Sequence, residues 1–452
     1  MTESRDASNA AERYAAEFES FTNNGASGAP AWLKERRAQA ISRFAEAGFP
    51  SARQEAWRFT DVKAIARESF SLAPAPEAHG ITHESIAPFL LGGADRLTAV
   101  FVNGHYEPEL SSVAGLPEGV TLGSLRDAVA DDPELVERHL GKYAADERNP
   151  FTALSTAFTH DGGFVRVPQG VVVEKPLQLL FLAAPNGDAG YLWHPRNVVV
   201  VEEGAEASVV ESYVGLGDGV YWTNAVTEVV VGENAKADTY RIQRESAGGY
   251  HTATTQSYQE RSSNYSLITF TFGARLSRHD INVVLGGEGA DCTLDGLSML
   301  RDEQHADYHT TLEHAKAHCT SWEYFNGVFD DRSRGVFTGR IVVRPGAQQT
   351  DSKQTNNNLL LTEQARADSQ PQLEIYADDV KCTHGATLGP IDEEHLYYIQ
   401  SRGLPREDAR MLMTYGFGSE ILSNVKDEEL RKRLDGQVVE WLAESGRRRA
   451  TG

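Results

Sequence analysis

Val199-Val200-Val201 is followed by Gly204-Ala205-Glu206-Ala207, and this pattern of a valine run, a turn and a short alternating segment returns along the chain. Two clear copies are Val229-Val230-Val231 with Asn234-Ala235-Lys236-Ala237, and Val283-Val284-Leu285 with Gly289-Ala290-Asp291-Cys292. With the first turn residue as marker, further copies fall at Gly170, Ser263, Lys316, Gly346 and Asp379. A repeat of this length indicates stacked coils, because one coil cannot bury its apolar face alone.

We therefore predict a mainly β fold whose core is a right-handed parallel β-helix, or β-solenoid, of about seven or eight coils. Stacked coils are about 4.8 Å apart, so the rod would be on the order of 35 Å long. Such a rod has two ends with unpaired strand edges, and we expect helical segments at the two termini to cap them. A β-sandwich or jelly roll remains the alternative.

Helical periodicity occurs at both ends of the chain. Pro30 precedes apolar residues at helical spacing, Asp392 is positioned to cap a second helix, and Pro405 to begin a third. The predicted apolar stripes are Leu33, Ala40, Ile41 and Phe44; Leu412, Met413, Phe417 and Ile421; and Leu430, Leu434, Val438, Trp441 and Leu442. The predicted domains are an N-terminal helical or mixed domain over residues 1–150, the β-helix core over 151–390, and a C-terminal helical domain over 391–452.

Composition excludes several classes of function. The 452 residues include 43 basic and 65 acidic side chains, a net charge of −22 that repels phosphate backbones and anionic lipid headgroups. We expect no nucleic-acid or membrane partner. The chain start lacks an apolar signal segment, and three cysteines suit a reducing compartment, so the predicted location is cytoplasmic.

The repeat alignment assigns a position to each cysteine. Cys292, Cys319 and Cys382 each fall three residues after a turn marker, where earlier copies have Ala207 and Ala237. A small, weakly polar side chain that stacks inside a coil needs no catalytic explanation. The alignment therefore favours a packing role for Cys292 and Cys319 and leaves Cys382 open.

Two residues further along the same strand face, the aligned positions change from apolar to polar. They are Val209, Thr239, Ile268, Leu294, Ser321, Asp351 and His384. Cys382 and His384 thus offer a thiol and an imidazole on one face, and iron and zinc accept both as ligands. Two ligands do not complete a site, so a metal here would be shared with another chain or held transiently. A buried histidine that hydrogen-bonds to a neighbouring coil is the alternative.

Two further groups of residues are candidates for a metal site or an enzyme active site. His305, His309, His314 and His318, beside Cys319, form the densest group of metal-ligand types, but in an extended segment they alternate between faces, which favours a solvated surface over a zinc site. The acid pairs Asp330-Asp331 and Asp378-Asp379 suit a carbohydrate-active β-helix enzyme, and equally suit turns.

Motifs of common enzymes are absent from the sequence. There is no G-x-x-x-x-G-K-[ST] loop, no H-E-x-x-H and no G-x-S-x-G. The phosphate-binding loop, the zinc-binding helix and the nucleophile elbow that these motifs indicate are therefore not expected. We predict no self-contained active site.

Five longer stretches carry a family resemblance that spans nearly the whole chain. They are Arg53–Thr60, Phe101–Leu110, Asp351–Leu361, Pro371–Thr387 and Tyr397–Gly403. They are similar to the SufB/SufD family of iron–sulfur cluster assembly proteins. The small number of cysteines and the Val-Lys-Cys-Thr-His sequence at Val380–His384 favour the SufD branch, with a SufB-like main scaffold as the rival.

The resemblance implies a non-catalytic scaffold subunit of the SufBCD complex. It implies pairing with a SufB-like chain through the β-helix and docking of a SufC-like ATPase on the C-terminal helices. Cys382 and His384 would contribute to a transient iron–sulfur cluster at the contact with the partner, with the histidine the stronger candidate. A homodimer in isolation and binding of reduced flavin are left open, and a carbohydrate-active β-helix enzyme is the rival from another class.

Overall fold

The computed structural model describes residues 2–24, 28–74, 80–91, 93, 96–147, 149–185 and 190–451, with side chains described for residues 11–23 and from 28 to 448 within those ranges. Helices lie at both ends of the chain and strands lie between them. None of the described helices has the length and hydropathy of a membrane-spanning segment.

Helices and short strands are interspersed in the first third of the chain, strands then run without interruption to Pro390, and helices follow. The helices are α1 (Thr2–Asn24), α2 (Ala31–Ala47), α3 (Lys63–Arg67), α4 (His83–Ile86), α5 (Leu125–Asp131), α6 (Pro133–His139), α7 (Pro150–Ala157), α8 (Glu393–Gln400), α9 (Arg406–Leu422) and α10 (Glu428–Thr451), with 3₁₀ turns at Glu55–Trp57 and Ala87–Phe89. The strands are β1 (Ser71–Leu72), β2 (Leu97–Val102), β3 (His105–Tyr106), β4 (Thr121–Ser124), β5 (Gly163–Val167), β6 (Leu177–Ala183), β7 (Tyr191–Trp193), β8 (Arg196–Val201), β9 (Glu206–Gly215), β10 (Tyr221–Val231), β11 (Lys236–Arg244), β12 (Gly249–Gln259), β13 (Asn264–Thr271), β14 (Leu276–Leu285), β15 (Asp291–Leu300), β16 (His305–His314), β17 (Thr320–Phe329), β18 (Arg334–Val343), β19 (Thr350–Leu360), β20 (Arg366–Ile375) and β21 (Val380–Pro390).

From β8 onward, successive strands alternate between two sheets, and neighbouring strands in each sheet are parallel. Sheet A has the order β20-β18-β16-β14-β12-β10-β8-β5-β4, and sheet B has the order β21-β19-β17-β15-β13-β11-β9-β6-β2-β3. The short strands β1 and β7 pair with each other, and β7 also pairs with β10 in sheet A. From β8 onward, each strand pairs with the strand two further along the chain, so each of these coils gives one strand to each sheet. This confirms the predicted β-helix, of about seven coils, against a sandwich.

A left-handed turn residue precedes each strand from β9 to β19 in sheet B. These residues, with positive φ, are Gly204, Asn234, Ser262, Gly289, His318 and Gln349. The markers at Ser263, Lys316 and Gly346 are therefore wrong by one, two and three positions. Three of the turns use serine, histidine or glutamine in the left-handed region, where glycine and asparagine are the readable signals.

The N-terminal helices cover the outer face of sheet A. Trp222, Tyr250 and Leu276 occupy one outward column of adjacent strands and are buried in a cluster with Tyr14 and Phe44 from α1 and α2. The C-terminal helices cover the outer face of sheet B in the same way. The expectation that the terminal helices cap the ends of the rod is therefore wrong, because their apolar stripes match the long sides of the sheets.

The predicted helix starts agree with the structure. Pro30 and Pro405 directly precede α2 and α9, and Asp392 accepts hydrogen bonds from the backbone N–H groups of the first turn of α8. The predicted stripe of α10 is buried in full, at Leu430, Leu434, Val438, Trp441 and Leu442. On α9 the prediction is wrong for Leu412, which is 51% exposed, because smaller residues such as Ala409 and Thr414 face the sheet.

Candidate functional site at the open end of the β-helix

The two ends of the β-helix differ. At the first coil, the hairpin of β2 and β3 and the antiparallel strand β4 cover the core, where Val120 and Leu122 are buried. At the last coil, β20 and β21 terminate their sheets and each is hydrogen-bonded to a strand on one side. Within the described residues, the last coil is thus the end at which the long parallel strands of both sheets have an unpaired edge.

The last coil also exposes large apolar side chains. Ile375, Tyr376 and Leu388 are 40%, 59% and 55% exposed. They lie in β20, in the turn that follows it and in β21. Apolar side chains beside unpaired backbone groups are the features of a surface that another chain covers.

His384 is the last of a column of inward-facing residues that lie in register on neighbouring strands of sheet B. The pairing of β9 to β21 aligns Val209, Thr239, Leu267, Leu294, Glu323, Gln354 and His384. The alignment predicted Val209, Thr239, Leu294 and His384 correctly. It was wrong at Ile268, Ser321 and Asp351, because the misplaced turn markers shifted the register.

The exposure of His384 follows from its place in this column. The preceding members are buried, with Glu323 at 2% and Gln354 at 1% exposure, because the next coil covers each of them. No coil follows β21, so His384 is exposed, and among the described residues it has neither a hydrogen bond nor an ion pair. The alternative of a buried histidine that hydrogen-bonds to a neighbouring coil is therefore wrong.

A polar path leads inward from His384. Gln354 Nε2 donates a hydrogen bond to Glu323 Oε2, one coil deeper. Burial raises the pKa of Glu323 to about 7, partly offset by hydrogen bonds from Thr310 and Gln354. The open end therefore has a buried carboxyl group two coils behind the exposed imidazole, and this group is partly protonated near neutral pH. The sequence alignment missed Glu323 and Gln354, which a correct register would have revealed.

Cys382 ends the adjacent inward column. Its members are Ala207, Ala237, Tyr265, Cys292, Ser321, Ser352 and Cys382. The assignment of Cys319 to this column is wrong, because Cys319 precedes β17 in the turn, where its Sγ donates to the carbonyl of Gly287 at 3.3 Å. Cys292 and Cys319 are both buried, as a packing role requires.

Cys382 is half-buried and has hydroxyl groups behind it. His314 Nε2 lies 2.9 Å from Ser321 Oγ, which lies 2.7 Å from Ser352 Oγ in the coil next to Cys382. Burial, and then the charge of Asp351, raise the pKa of the Cys382 thiol. The thiol is therefore protonated at neutral pH, and a metal that binds it must displace a proton.

The histidine-rich segment does not form a metal centre. His305 is hydrogen-bonded to Thr60 Oγ1 at 2.9 Å, His309 Nδ1 accepts from Arg278 Nη2 at 3.2 Å, and His318 occupies an exposed turn. His314 is buried in the interior, so the expectation of a solvated histidine surface is wrong for it. Across the part of the chain that the structure describes, no three histidine, cysteine or acidic side chains are grouped to hold a metal ion.

Both acid pairs lie in turns between strands. Asp331 has positive φ and its backbone N–H donates to Asp330 Oδ1 at 3.1 Å. Asp379 follows β20, and its carbonyl accepts from the backbone N–H of Gln349 at 2.6 Å. The turn interpretation therefore accounts for both pairs.

Fold and site together define a β-helix protein whose open end carries a Cys-x-His pair. The family model described as "SUF system FeS cluster assembly, SufBD core domain" matches residues 184–417, and the model of the SufBD protein N-terminal region matches residues 8–179. The chain belongs to the SufBD family of iron–sulfur cluster assembly proteins.

Curated relatives match over most of their length. An iron–sulfur cluster assembly SufBD family protein of Synechocystis sp. is 32% identical over 410 residues, which cover 89% of each chain. The iron–sulfur cluster assembly protein SufD of Escherichia coli is 30% identical over 89% of this chain and 92% of its own. SufD of Bacillus subtilis is 27% identical over 90% and 93%.

Proposed function

We propose that this chain is a non-catalytic scaffold subunit of a SUF complex, pairing through its last coil with a SufB-like chain and sharing a nascent iron–sulfur cluster with it. The observation that carries this proposal is the position of His384. It stands in a core column, yet it is exposed at an unpaired strand edge. A second chain that covers this edge would bury the imidazole at the contact between the two subunits.

The last coil is suited to a partner that continues the sheets. Strand edges β20 and β21 offer backbone donors and acceptors, and Ile375, Tyr376 and Leu388 offer apolar area beside them. Strand addition obtains affinity from the backbone hydrogen bonds and specificity from the side chains between them. A SufB-like β-helix is the proposed partner, and a homodimer is the form expected in its absence.

This chain would supply only part of the ligand set of an iron–sulfur cluster. His384 supplies an imidazole and Cys382 a thiol that loses its proton when metal binds. An iron–sulfur cluster usually takes four protein ligands, so the remaining ligands would come from the partner. A SufB-like role as the main scaffold is less well supported, because the described residues hold no group of three metal ligands.

The C-terminal helices are the proposed docking site of a SufC-like ATPase. Tyr397 and Tyr398 on α8, and Met411 and Leu412 on α9, are 73%, 58%, 41% and 51% exposed. The chain lacks a phosphate-binding loop, so ATP hydrolysis would be the task of that partner. We expect the assembled complex in the cytoplasm.

Co-expression tests the proposal directly. Wild type, His384→Ala and Cys382→Ala would each be purified with SufB-like and SufC-like chains, reconstituted with and without reduced flavin, and assayed for iron and sulfide per complex. We expect intact complexes and, for His384→Ala, at least about a tenfold loss of cluster affinity, since even the outer partners of metal ligands contribute this much.

His83→Ala is the matched control, since His83 is an exposed histidine on α4, outside the last coil and the C-terminal helices. It should leave the iron and sulfide content unchanged. An unchanged cluster content in His384→Ala, together with a lower melting temperature, would refute the ligand role.

A further inference from the structure

A groove lies on the outer face of sheet B, between the strands and the segment that joins α9 to α10. Its volume is about 720 Å³, and residues of β13, β15, β17 and β19 line it together with Asn424 and Lys426. These four strands are neighbours in sheet B. Cys382 and His384 lie on β21, outside these strands, so the groove is separate from the proposed cluster site.

An exposed tryptophan forms part of the groove wall. Trp322 is 45% exposed, although tryptophan is highly buried on average. In sheet B it lies between Thr293 on β15 and Lys353 on β19. The Lys353 ammonium is 5.8 Å from the ring centroid, and on the other side of Trp322 the groove extends over the short Thr293 side chain. Trp322 therefore offers a flat apolar surface to a ligand in the groove.

The segment between α9 and α10 forms the opposite wall and is held on the sheet. Asn424 Nδ2 donates to Asp295 Oδ2 at 2.8 Å, and Lys426 Nζ lies 2.5 Å from Asp238 Oδ1. The backbone N–H of Lys426 donates to the hydroxyl of Tyr240. These three contacts fix the wall against β11 and β15. The groove is therefore formed before a ligand binds, and a ligand does not have to order it.

Polar groups inside the groove are accessible. Asp291, Thr293 and Thr355 are half-buried and Lys353 is exposed, so a ligand can contact them. In the described part of the chain, four of their polar atoms have neither a hydrogen bond nor an ion pair: Asp291 Oδ2, Thr293 Oγ1, Thr355 Oγ1 and Lys353 Nζ. Asp291 Oδ1 accepts from Asn264 Nδ2 at 3.1 Å, which fixes the carboxylate. The groove thus presents acceptors, hydroxyl groups and a cationic donor around one aromatic ring.

A pyranose sugar with equatorial hydroxyl groups matches this arrangement. Its two flat faces consist of C–H groups that stack on an aromatic ring, and its hydroxyl groups point outward from the rim, where each can donate and accept. The opposite charges of Asp291 and Lys353 favour a neutral ligand over a cation or an anion. Alternate residues of a strand are about 6.6 Å apart and neighbouring strands about 4.8 Å, so Asp291, Thr293 and Trp322 lie within the span of one sugar ring.

We infer that this groove binds a neutral, β-linked glucoside of two or three rings, with one ring stacked on Trp322 and its hydroxyl groups bonded to Asp291, Thr293 and Lys353. A β-1,4 linkage keeps successive rings in line, as a groove across four parallel strands requires. The volume is suitable, because ligand pockets commonly span about 300–1,000 Å³. The inference concerns binding without cleavage. It does not depend on the proposed scaffold function, and either can fail alone.

Titration of the full chain with three probes tests the inference. Saturation-transfer NMR should show saturable binding of cellotriose. Maltotriose, whose α-linkages bend the chain away from the groove, should bind at least tenfold more weakly, and the cation spermidine should not bind. Binding of spermidine without binding of cellotriose would make the groove a cation site and overturn the inference.

Variants assign the binding to this groove. Trp322→Ala removes the stacking surface and should weaken cellotriose binding at least tenfold, and it should fold because the side chain is exposed. Thr293→Val keeps the shape, removes one hydroxyl group and should weaken binding about threefold or more. Tyr397→Ala is the matched control, since it removes an exposed aromatic side chain on α8, outside the groove. Equal binding of cellotriose by Trp322→Ala and wild type, or no saturable binding at all, would overturn the inference.

Discussion

The guanidinium carbon of Arg278 lies 3.8 Å from the centroid of the Trp57 ring. Arg278 also forms ion pairs with Asp280 and Asp307, both at 2.7 Å, and donates to the carbonyl of Ala56 at 2.7 Å. The segment Arg53–Thr60, one of the stretches that carry the family resemblance, is thereby joined to the middle of sheet A. Its role in this chain is to hold the N-terminal region on the β-helix.

Trp57→Leu is expected to lower the free energy of unfolding by about 2–4 kcal/mol, because it removes a buried aromatic side chain and its cation–π contact. Urea denaturation followed by far-UV circular dichroism measures this change. Arg58→Ala is the control, since Arg58 is exposed and lies over Phe59 at 5.4 Å. Equal stability of the two variants would contradict the role assigned to Trp57.

Glu323 predicts a pH dependence of stability. Burial raises its pKa to about 7 in the folded chain. Between pH 4.5 and 7 the folded state therefore keeps a proton that the unfolded state has lost, and this contribution to stability decreases as the pH rises through that window. Glu323→Gln should abolish a difference on the order of 3 kcal/mol between pH 5 and pH 8. Identical pH profiles of wild type and variant would show that the carboxyl group is already ionised when folded.

The last coil predicts an interface. Tyr376→Lys and Leu388→Lys should weaken association with a SufB-like chain at least tenfold, because each introduces a charge at an exposed apolar position beside an unpaired strand. Val172→Lys is a matched control, since Val172 is 55% exposed and lies beside the first coils. Analytical ultracentrifugation of the mixed chains gives the affinities. A loss caused by Val172→Lys alone would locate the contact at the other end.

The exposed face of α8 and α9 predicts a second contact. Leu412→Glu should weaken binding of a SufC-like ATPase at least tenfold and leave the melting temperature unchanged, because Leu412 contributes little to the core. Val172→Glu is the control, at a position outside the C-terminal helices that is 55% exposed. Surface plasmon resonance with immobilised ATPase measures the affinity of each variant. Equal affinities of the two variants would exclude α9 as the docking face.

The sequence predicted the coils wherever glycine or asparagine marked the turn. The turns at Gly204, Asn234 and Gly289 were placed correctly. Ser262, His318 and Gln349 adopt the same left-handed backbone, but their residue types do not indicate it in the sequence. The position of His384 was nevertheless correct, since Asp379 lies in register with Gln349, one residue before the start of β21.

Other features depend on contacts between distant residues. Thr60 and Asp307 are 247 positions apart and share a hydrogen bond of 2.6 Å. Neither residue type indicates such a contact locally. The same applies to the direction of the terminal helices: periodicity predicted that α10 has an apolar face, but not that this face would meet the side of sheet B.

The packing of the C-terminal helices over sheet B has a consequence for synthesis. The backbone N–H of Lys426, just before α10, donates to the hydroxyl of Tyr240 at 3.2 Å, across 186 residues. Coils can stack one after another as the chain leaves the ribosome, but Tyr240 and Leu297 keep an uncovered apolar face until the C-terminal helices are released. A nascent chain therefore passes through a stage with complete coils and a bare flank, which is the stage at which chaperones would bind it.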